Sequence, residues 1–198
     1  MSDDRRGQWQ SQRPAALILV DVQNSFFHPQ GESFYPAARE IVPNLQRLRA
    51  TARQHGRLIV HVSDCHRGGM NDFESHKLPA HGLAGSFNAD FYEGFGPGGS
   101  ASSQEVAIIK RRYSAFFGTD LDMLLREQGI ERLVVAGVKT NVCVRATIQD
   151  GFGLGYKCLL AREATNSNRP HLAAASLEDI DRYMGWVVDL EEASEALA

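Results

Sequence analysis

Six short apolar runs recur along the chain, each separated from the next by a stretch long enough for a helix: AALILV (15–20), RLIVHVS (57–63), VAIIK (106–110), RLVVAGV (132–138), KCLLA (157–161) and WVVDL (186–190). They are apolar at successive rather than alternate positions, the pattern of strands covered on both faces. Between them, residues 36–56 and 118–130 place apolar side chains at three- and four-residue steps and run into Gly56 and Gly129, the residue type that most readily ends a helix. Residues 140–155 and 169–185 follow the same pattern. Strand alternating with helix predicts an α/β domain of three layers, a mainly parallel sheet of about six strands with helices on both faces. A chain of 198 residues fits one such domain, expected over 15–198, with residues 1–14 as a loosely held tail.

Several classes of function lose support on composition. With 21 basic against 24 acidic side chains the net charge is −3, so there is no electrostatic case for nucleic acid or an anionic membrane as partner. No apolar run is long enough to span a bilayer, and none follows the basic residues of the opening stretch. The three cysteines, Cys65, Cys143 and Cys158, form no CxxC pair and suit a reducing, cytoplasmic setting. Neither GxGxxG nor GxxxxGK[ST] is present, which removes most of the support for nucleotide binding.

In open parallel sheets ligands bind beyond the carboxyl ends of the strands. There the chain places Asp21, Asp64, Lys110 and the GVKT turn before Cys143. Each has an ordinary reading: Asp21 as a helix cap, Lys110 with the following arginines as a solvated face, a cysteine as a small buried hydrophobe. The last reading is adopted for Cys158, and Cys65 stays open. If Thr140 caps the next helix, Cys143 falls in its first turn, where the helix dipole and a nearby lysine lower a thiol pKa toward the physiological range. A carboxylate in reach could take the proton, so Asp, Lys and Cys form a sensible set for attack on a carbonyl. The glycine-rich stretches 67–86 and 92–103 read as long loops of the kind that carry function.

Three ordered blocks, LILVDVQNSF, IIKRRYSAFFGTDLDMLLREQGI and VVAGVKTNVCVRATIQDGFGLGY, resemble the isochorismatase-like cysteine hydrolases, the superfamily that includes nicotinamidases, N-carbamoylsarcosine amidases, ureidoacrylate amidohydrolases and biuret hydrolases. The resemblance implies that Cys143 is the nucleophile, Asp21 its general base and Lys110 the group that orients and stabilises the pair. It implies a cis bond between Val138 and Lys139, with the backbone amides of Lys139 and Cys143 facing the oxyanion. The implied reaction is cleavage of a C–N bond in a small amide, ureido or carbamoyl compound through a thioester. A metal-containing nicotinamidase is the alternative, and a non-catalytic binding or thiol-sensing protein a third reading. Relatives tend to be dimers or tetramers, so a homo-oligomer is expected.

The stretch SDCHRGGMNDFESHKLPAHGLAGS resembles the metal-binding segment of nicotinamidases. Asp64, His66, Glu74 and His81 are the candidate ligands, for zinc, iron or manganese; otherwise they line a loop. Two departures put nicotinamide in doubt: Ser25 stands where nicotinamidases usually carry an acidic residue, and HKLPAH replaces an aromatic-rich lead-in. Lys139 and Arg145 flank the nucleophile, and either, if turned inward, could bind a substrate carboxylate; otherwise each is a surface side chain. Phe26, Tyr113 and Phe116 lie beside the matched positions as pocket walls or as core.

Overall fold

The computed structural model describes residues 7–11, 13–98 and 104–198. Residues 1–6 and 12 of the expected tail, and 99–103 of the second loop, lie outside the described residues. The strands are β1 (Ala15–Val20), β2 (Ile59–Asp64), β3 (Glu105–Lys110), β4 (Arg132–Val138), β5 (Lys157–Asn166) and β6 (Trp186–Val188). All pair in parallel, in the order β3-β2-β1-β4-β5-β6. The main helices are α1 (Val42–Gln54), α2 (Leu121–Glu127), α3 (Arg145–Gly153), α4 (Pro170–Tyr183) and α5 (Leu190–Leu197). Among the described residues no helix is long and apolar enough to cross a membrane.

The central strand shows why the layers form. Ala15, Leu17 and Leu19 pack with Leu45 and Leu48 of α1 and with Ala196 and Leu197 of α5. The intervening Ala16, Ile18 and Val20 pack with Leu121 and Leu125 of α2, Ile148 of α3 and Ile180 of α4. A strand apolar at every position thus serves two cores at once, each large aliphatic side chain contributing about 1.5–3 kcal/mol on burial. This is the three-layer α/β arrangement expected from the sequence.

Boundaries differ from the sequence pattern where distant residues decide them. β5 runs on past KCLLA because Thr165 and Asn166 pair with Gly137 and Val138 after a shift in register. β6 stops at Val188, and Asp189 caps α5 instead. The Asp189 carboxylate accepts the Glu192 N–H at 2.8 Å, while the Glu192 side chain accepts the Asp189 N–H at 3.3 Å. The expected tail is anchored where it is described: Trp9 is buried, Gln8 accepts the Trp186 indole N–H at 3.3 Å, and Ser11 donates to Glu131 at 3.1 Å. An indole has enough apolar surface to hold a short terminal segment to the core.

The chain runs from β1 outward to β2 and β3, then returns to lay β4 on the other side of β1. That reversal opens a crevice at the carboxyl ends of β1 and β4. Gly137 sits there with φ +116°, and a Cβ on it would stand 2.0 Å from the Val20 carbonyl oxygen. Only glycine therefore lets β4 close on β1 beside the crevice. Gly137→Ala is expected to cost about 3 kcal/mol or more, read as a shift of the urea unfolding midpoint; a loss under about 1 kcal/mol would show that the approach is relaxed.

Candidate active site

The strand register assembles the reactive groups. Asp64 and Lys110 are cross-strand partners at the ends of β2 and β3, and Val20 is paired with Gly137 just before Asp21 and the GVKT turn. Asp21 has φ +53°, the one positive value at a non-glycine among the described residues. The turn sends its carboxylate inward, fully buried, and the helical turn Asn24–Phe27 is headed by Gln23 instead of Asp21. Lys110 is also fully buried, so it belongs to no solvated basic face. Its Nζ lies 3.1 Å from Asp21 Oδ2, 3.3 Å from Asp64 Oδ1 and 3.6 Å from Cys143 Sγ.

Cys143 lies in a π-helical turn, Thr140–Val144, that leads into α3. The capping position is Lys139 and not Thr140 as expected; the buried Thr140 hydroxyl shares a 2.8 Å hydrogen bond with Thr165 on β5. The Val138–Lys139 peptide is cis, as the resemblance implied.

The electrostatics correct one expectation. Burial pushes the Asp21 carboxyl up to about 6, against the pull of the Lys110 ammonium. Burial, reinforced by the Asp21 charge, raises the Cys143 thiol well above its ordinary value, although Lys110 opposes this. The sequence placed the thiol near a helix start and a lysine and so anticipated a lowered pKa; withdrawal from water and two neighbouring carboxylates outweigh both. Burial disfavours the charged form of Lys110 too, but Asp21, Cys143 and Asp64 hold its pKa above the ordinary lysine range. At neutral pH the resting group is thiol, carboxylate and ammonium. Neither Asp21 oxygen has a well-aligned hydrogen bond, which leaves lone pairs for the thiol proton.

Beside this group, Asp64, His66 and His81 offer three donor atoms that lie within 4.8 Å of one another. His66 Nε2 is 3.4 Å from Asp64 Oδ1 and His81 Nε2 is 3.5 Å from Asp64 Oδ2. Each ring is fixed from behind: His66 Nδ1 lies 2.7 Å from Asp72 Oδ2, and His81 Nδ1 lies 2.8 Å from the Pro79 carbonyl. The His66 N–H donates to the Gly82 carbonyl and the Ala84 N–H to the His66 carbonyl, each at 2.8 Å, which brings the loop back so that His81 faces His66. Bonds to Asp64 raise His66 and push His81 up to about 9. Burial would raise the Asp64 carboxyl, but the two histidines and Lys110 hold it well below the carboxylate range.

Two imidazole nitrogens and a carboxylate, with Asp64 Oδ1 and His66 Nε2 buried and held by charge contacts instead of well-aligned hydrogen bonds, fit a divalent cation that would replace the imidazolium protons. Glu74, the fourth candidate, stands one step outside this set. It is buried, 3.9 Å from His81 Nε2 and 3.8 Å from Arg112.

A cavity of about 400 Å³ opens over Cys143, Asp64 and His81, walled by Phe26, Tyr113, Val142 and Lys139. Two of the expected pocket residues are elsewhere. Phe116 stacks on Tyr156 at 5.7 Å against the core. Arg145 faces a neighbouring hollow, 3.2 Å from Gln149 and 3.5 Å from Asp179.

Other contributors carry no local signal in the sequence. Gln23 ties the end of β1 to β2 by accepting the Asp64 N–H at 2.8 Å and donating to Ser63 at 2.9 Å. Glu32 lines the cavity and accepts the Gly82 N–H at 2.7 Å, with Ser25 donating to it at 3.5 Å. The acid missing at position 25 is thus present nearby, used to hold the histidine loop. Cys158 is buried in β5, its thiol pushed up to about 12 by burial, a packing residue as expected. Cys65 is half-buried and absent from the cavity wall.

Residues 15–192 match the family model for the isochorismatase domain. An isochorismatase-like hydrolase from Alkaliphilus metalliredigens is 30% identical, with 93% of this chain and 100% of that one covered, at a TM-score of 0.84. N-carbamoylsarcosine amidase from Thermoplasma acidophilum is 28% identical over 90% of this chain and 97% of its own, at 0.79. Pyrazinamidase of Pyrococcus horikoshii, solved in complex with zinc, is 29% identical over 88% and 98%, at 0.78. The chain therefore belongs to the isochorismatase family, as a hydrolase of that fold.

Proposed function

We propose that the chain is a cysteine-dependent amidohydrolase that cleaves a C–N bond in a small amide, ureido or carbamoyl compound. The observation that carries this reading is the buried cluster of Asp21, Lys110 and Cys143, in which Lys110 reaches both partners and Cys143 opens onto a cavity of about 400 Å³. As Sγ attacks the substrate carbonyl, its proton passes to Asp21 and the carbonyl electrons move to oxygen. The resulting oxyanion is received by the backbone N–H groups of Lys139 and Cys143, where a helix start offers unpaired donors. Collapse expels the amine, which leaves with the proton held by Asp21, and a thioester remains. Water then attacks the thioester, Asp21 again takes the proton, and the acid departs as the thiol is restored. Lys110 stays charged throughout and balances the negative charge as it moves between Asp21, sulfur and oxygen.

In the same proposal Asp64, His66 and His81 hold a divalent cation, which when bound supplies a Lewis acid beside the cavity. The metal-containing nicotinamidase reading draws on that donor set and on the zinc complex of the pyrazinamidase neighbour. The carbamoyl reading draws on the amidase neighbour and on Lys139 in the cavity wall.

Cys143→Ala and Asp21→Asn are expected to abolish ammonia release from an amide panel while circular dichroism stays unchanged; full turnover by Cys143→Ala would sink the mechanism. The base must be ionised, and its pKa is raised to about 6. Hence kcat/KM should climb with pH up to that value and fall about tenfold per unit below it. An acid limb near the ordinary aspartate value would exclude Asp21 as the base. Because the Asp21 charge raises the thiol, Asp21→Asn should move the midpoint of Cys143 alkylation to lower pH even as hydrolysis is lost. For the metal, elemental analysis should find about one divalent ion per chain in the wild type and little in Asp64→Ala or His81→Ala; a metal-free wild type at full activity would rule the site out.

A further inference from the structure

Lys139 occupies an unusual position for a lysine. It is half-buried in the cavity wall, and its ammonium lies over two aromatic rings, 5.5 Å from the centroid of Phe26 and 5.9 Å from that of Tyr35. The rings attract the charge but accept none of its three N–H donors in a conventional hydrogen bond. Among the described residues no carboxylate forms an ion pair with it. Burial disfavours its protonation, Cys143 opposes that, and the Arg169 charge adds to it. Burial without a counter-charge costs free energy, so a lysine held this way is poised for an anion that arrives from outside.

The rest of the cavity points the same way. Asp64 is engaged by Lys110 and both histidines, and Glu32 by the Gly82 N–H and Ser25, so neither carboxylate serves Lys139. Tyr35 is itself fixed by its hydroxyl, which donates to Asn166 Oδ1 at 2.8 Å, so the aromatic seat is rigid. Arg145, the other cation flanking the nucleophile, is spent on Asp179 outside the cavity.

We infer that Lys139 is the specificity-determining residue of the cavity, and that the preferred substrate is an amide or urea carrying a carboxylate beyond the scissile carbonyl, of the N-carbamoyl amino acid type. This rests on the amidohydrolase reading for the chemistry, but the carboxylate subsite has its own observable. The cavity holds the reactive carbonyl over Cys143 while the Lys139 ammonium pairs with the distal carboxylate at the wall, so an uncharged analogue loses one charge-assisted contact.

The test uses N-carbamoylglycine and its uncharged methyl ester with the full-length protein. In wild type the acid should have the higher kcat/KM. In Lys139→Met the acid-to-ester ratio should fall about 10- to 100-fold, through KM more than kcat, with part of the preference restored in Lys139→Arg. An unchanged ratio in Lys139→Met, or a wild type indifferent to the charge, would overturn the inference and leave the amidohydrolase reading standing. Calorimetry in the Cys143→Ala background separates the two ideas. Binding of N-carbamoylglycine that disappears in Cys143→Ala/Lys139→Met supports the carboxylate subsite even if the wild type releases no ammonia, in which case the chemistry fails alone. Binding indifferent to Lys139, or no binding, overturns the subsite.

Discussion

A lysine ammonium with no exposure to water is the constraint around which this molecule is arranged. Lys110 can remain charged only because Asp21, Asp64 and Cys143 surround its Nζ within 3.6 Å. Those partners come from the ends of β1 and β2 and from the turn after β4, so the charge balance needs three separate connections to finish at the same height. Removing one partner of a buried ion pair typically costs about 3–5 kcal/mol, because the remaining charge is stranded. The register of the sheet, the left-handed turn at Asp21 and the absence of a side chain at Gly137 all serve that convergence. The same ammonium joins Cys143 to the histidine cluster through Asp64, so the two halves of the site are electrostatically one.

Much of this was legible in the chain because it depends on local rules. Apolar runs with no alternation mark doubly covered strands, as in β1, β2 and β4, although the edge strand β3 leaves Ile109 half exposed, and in a parallel sheet the residue after each run faces the ligand edge. Asp21, Asp64, Lys110 and the turn before Cys143 are found by that census alone. What local rules miss is set by contacts between distant parts of the chain. Asp72 fixes His66, Glu32 steadies the loop carrying His81, and Gln23 clamps β1 to β2, yet none stands out by spacing. Thr140 looked like a cap because threonine often is one, but Thr165 from β5 takes its hydroxyl. The state of the thiol differs from expectation for a related reason: a helix start and a lysine are visible in sequence, whereas deep burial beside two carboxylates is not.

The two cations flanking Cys143 show how little sequence proximity says about a pocket. Lys139 ends the crossing from β4 and is drawn over Phe26 and Tyr35, which arrive from the segment after β1. Arg145, two residues beyond Cys143, starts α3 on the side turned toward α4 and meets Asp179 there. Two positive residues within four positions of Cys143 in sequence thus serve different purposes, one bordering the cavity and one joining helices.

A proposed nucleophile kept as a buried thiol has a consequence for durability. Peroxides react with thiolates, and a cysteine that is protonated and only 6% exposed offers them little of either thiolate or access. In the proposed mechanism the reactive form of sulfur exists only while Asp21 is accepting its proton, during attack on a bound carbonyl. The half-buried Cys65, also held as a thiol by burial, is the more accessible of the two to oxidants. Deep placement of the proposed nucleophile thus also disfavours its oxidation between encounters with substrate.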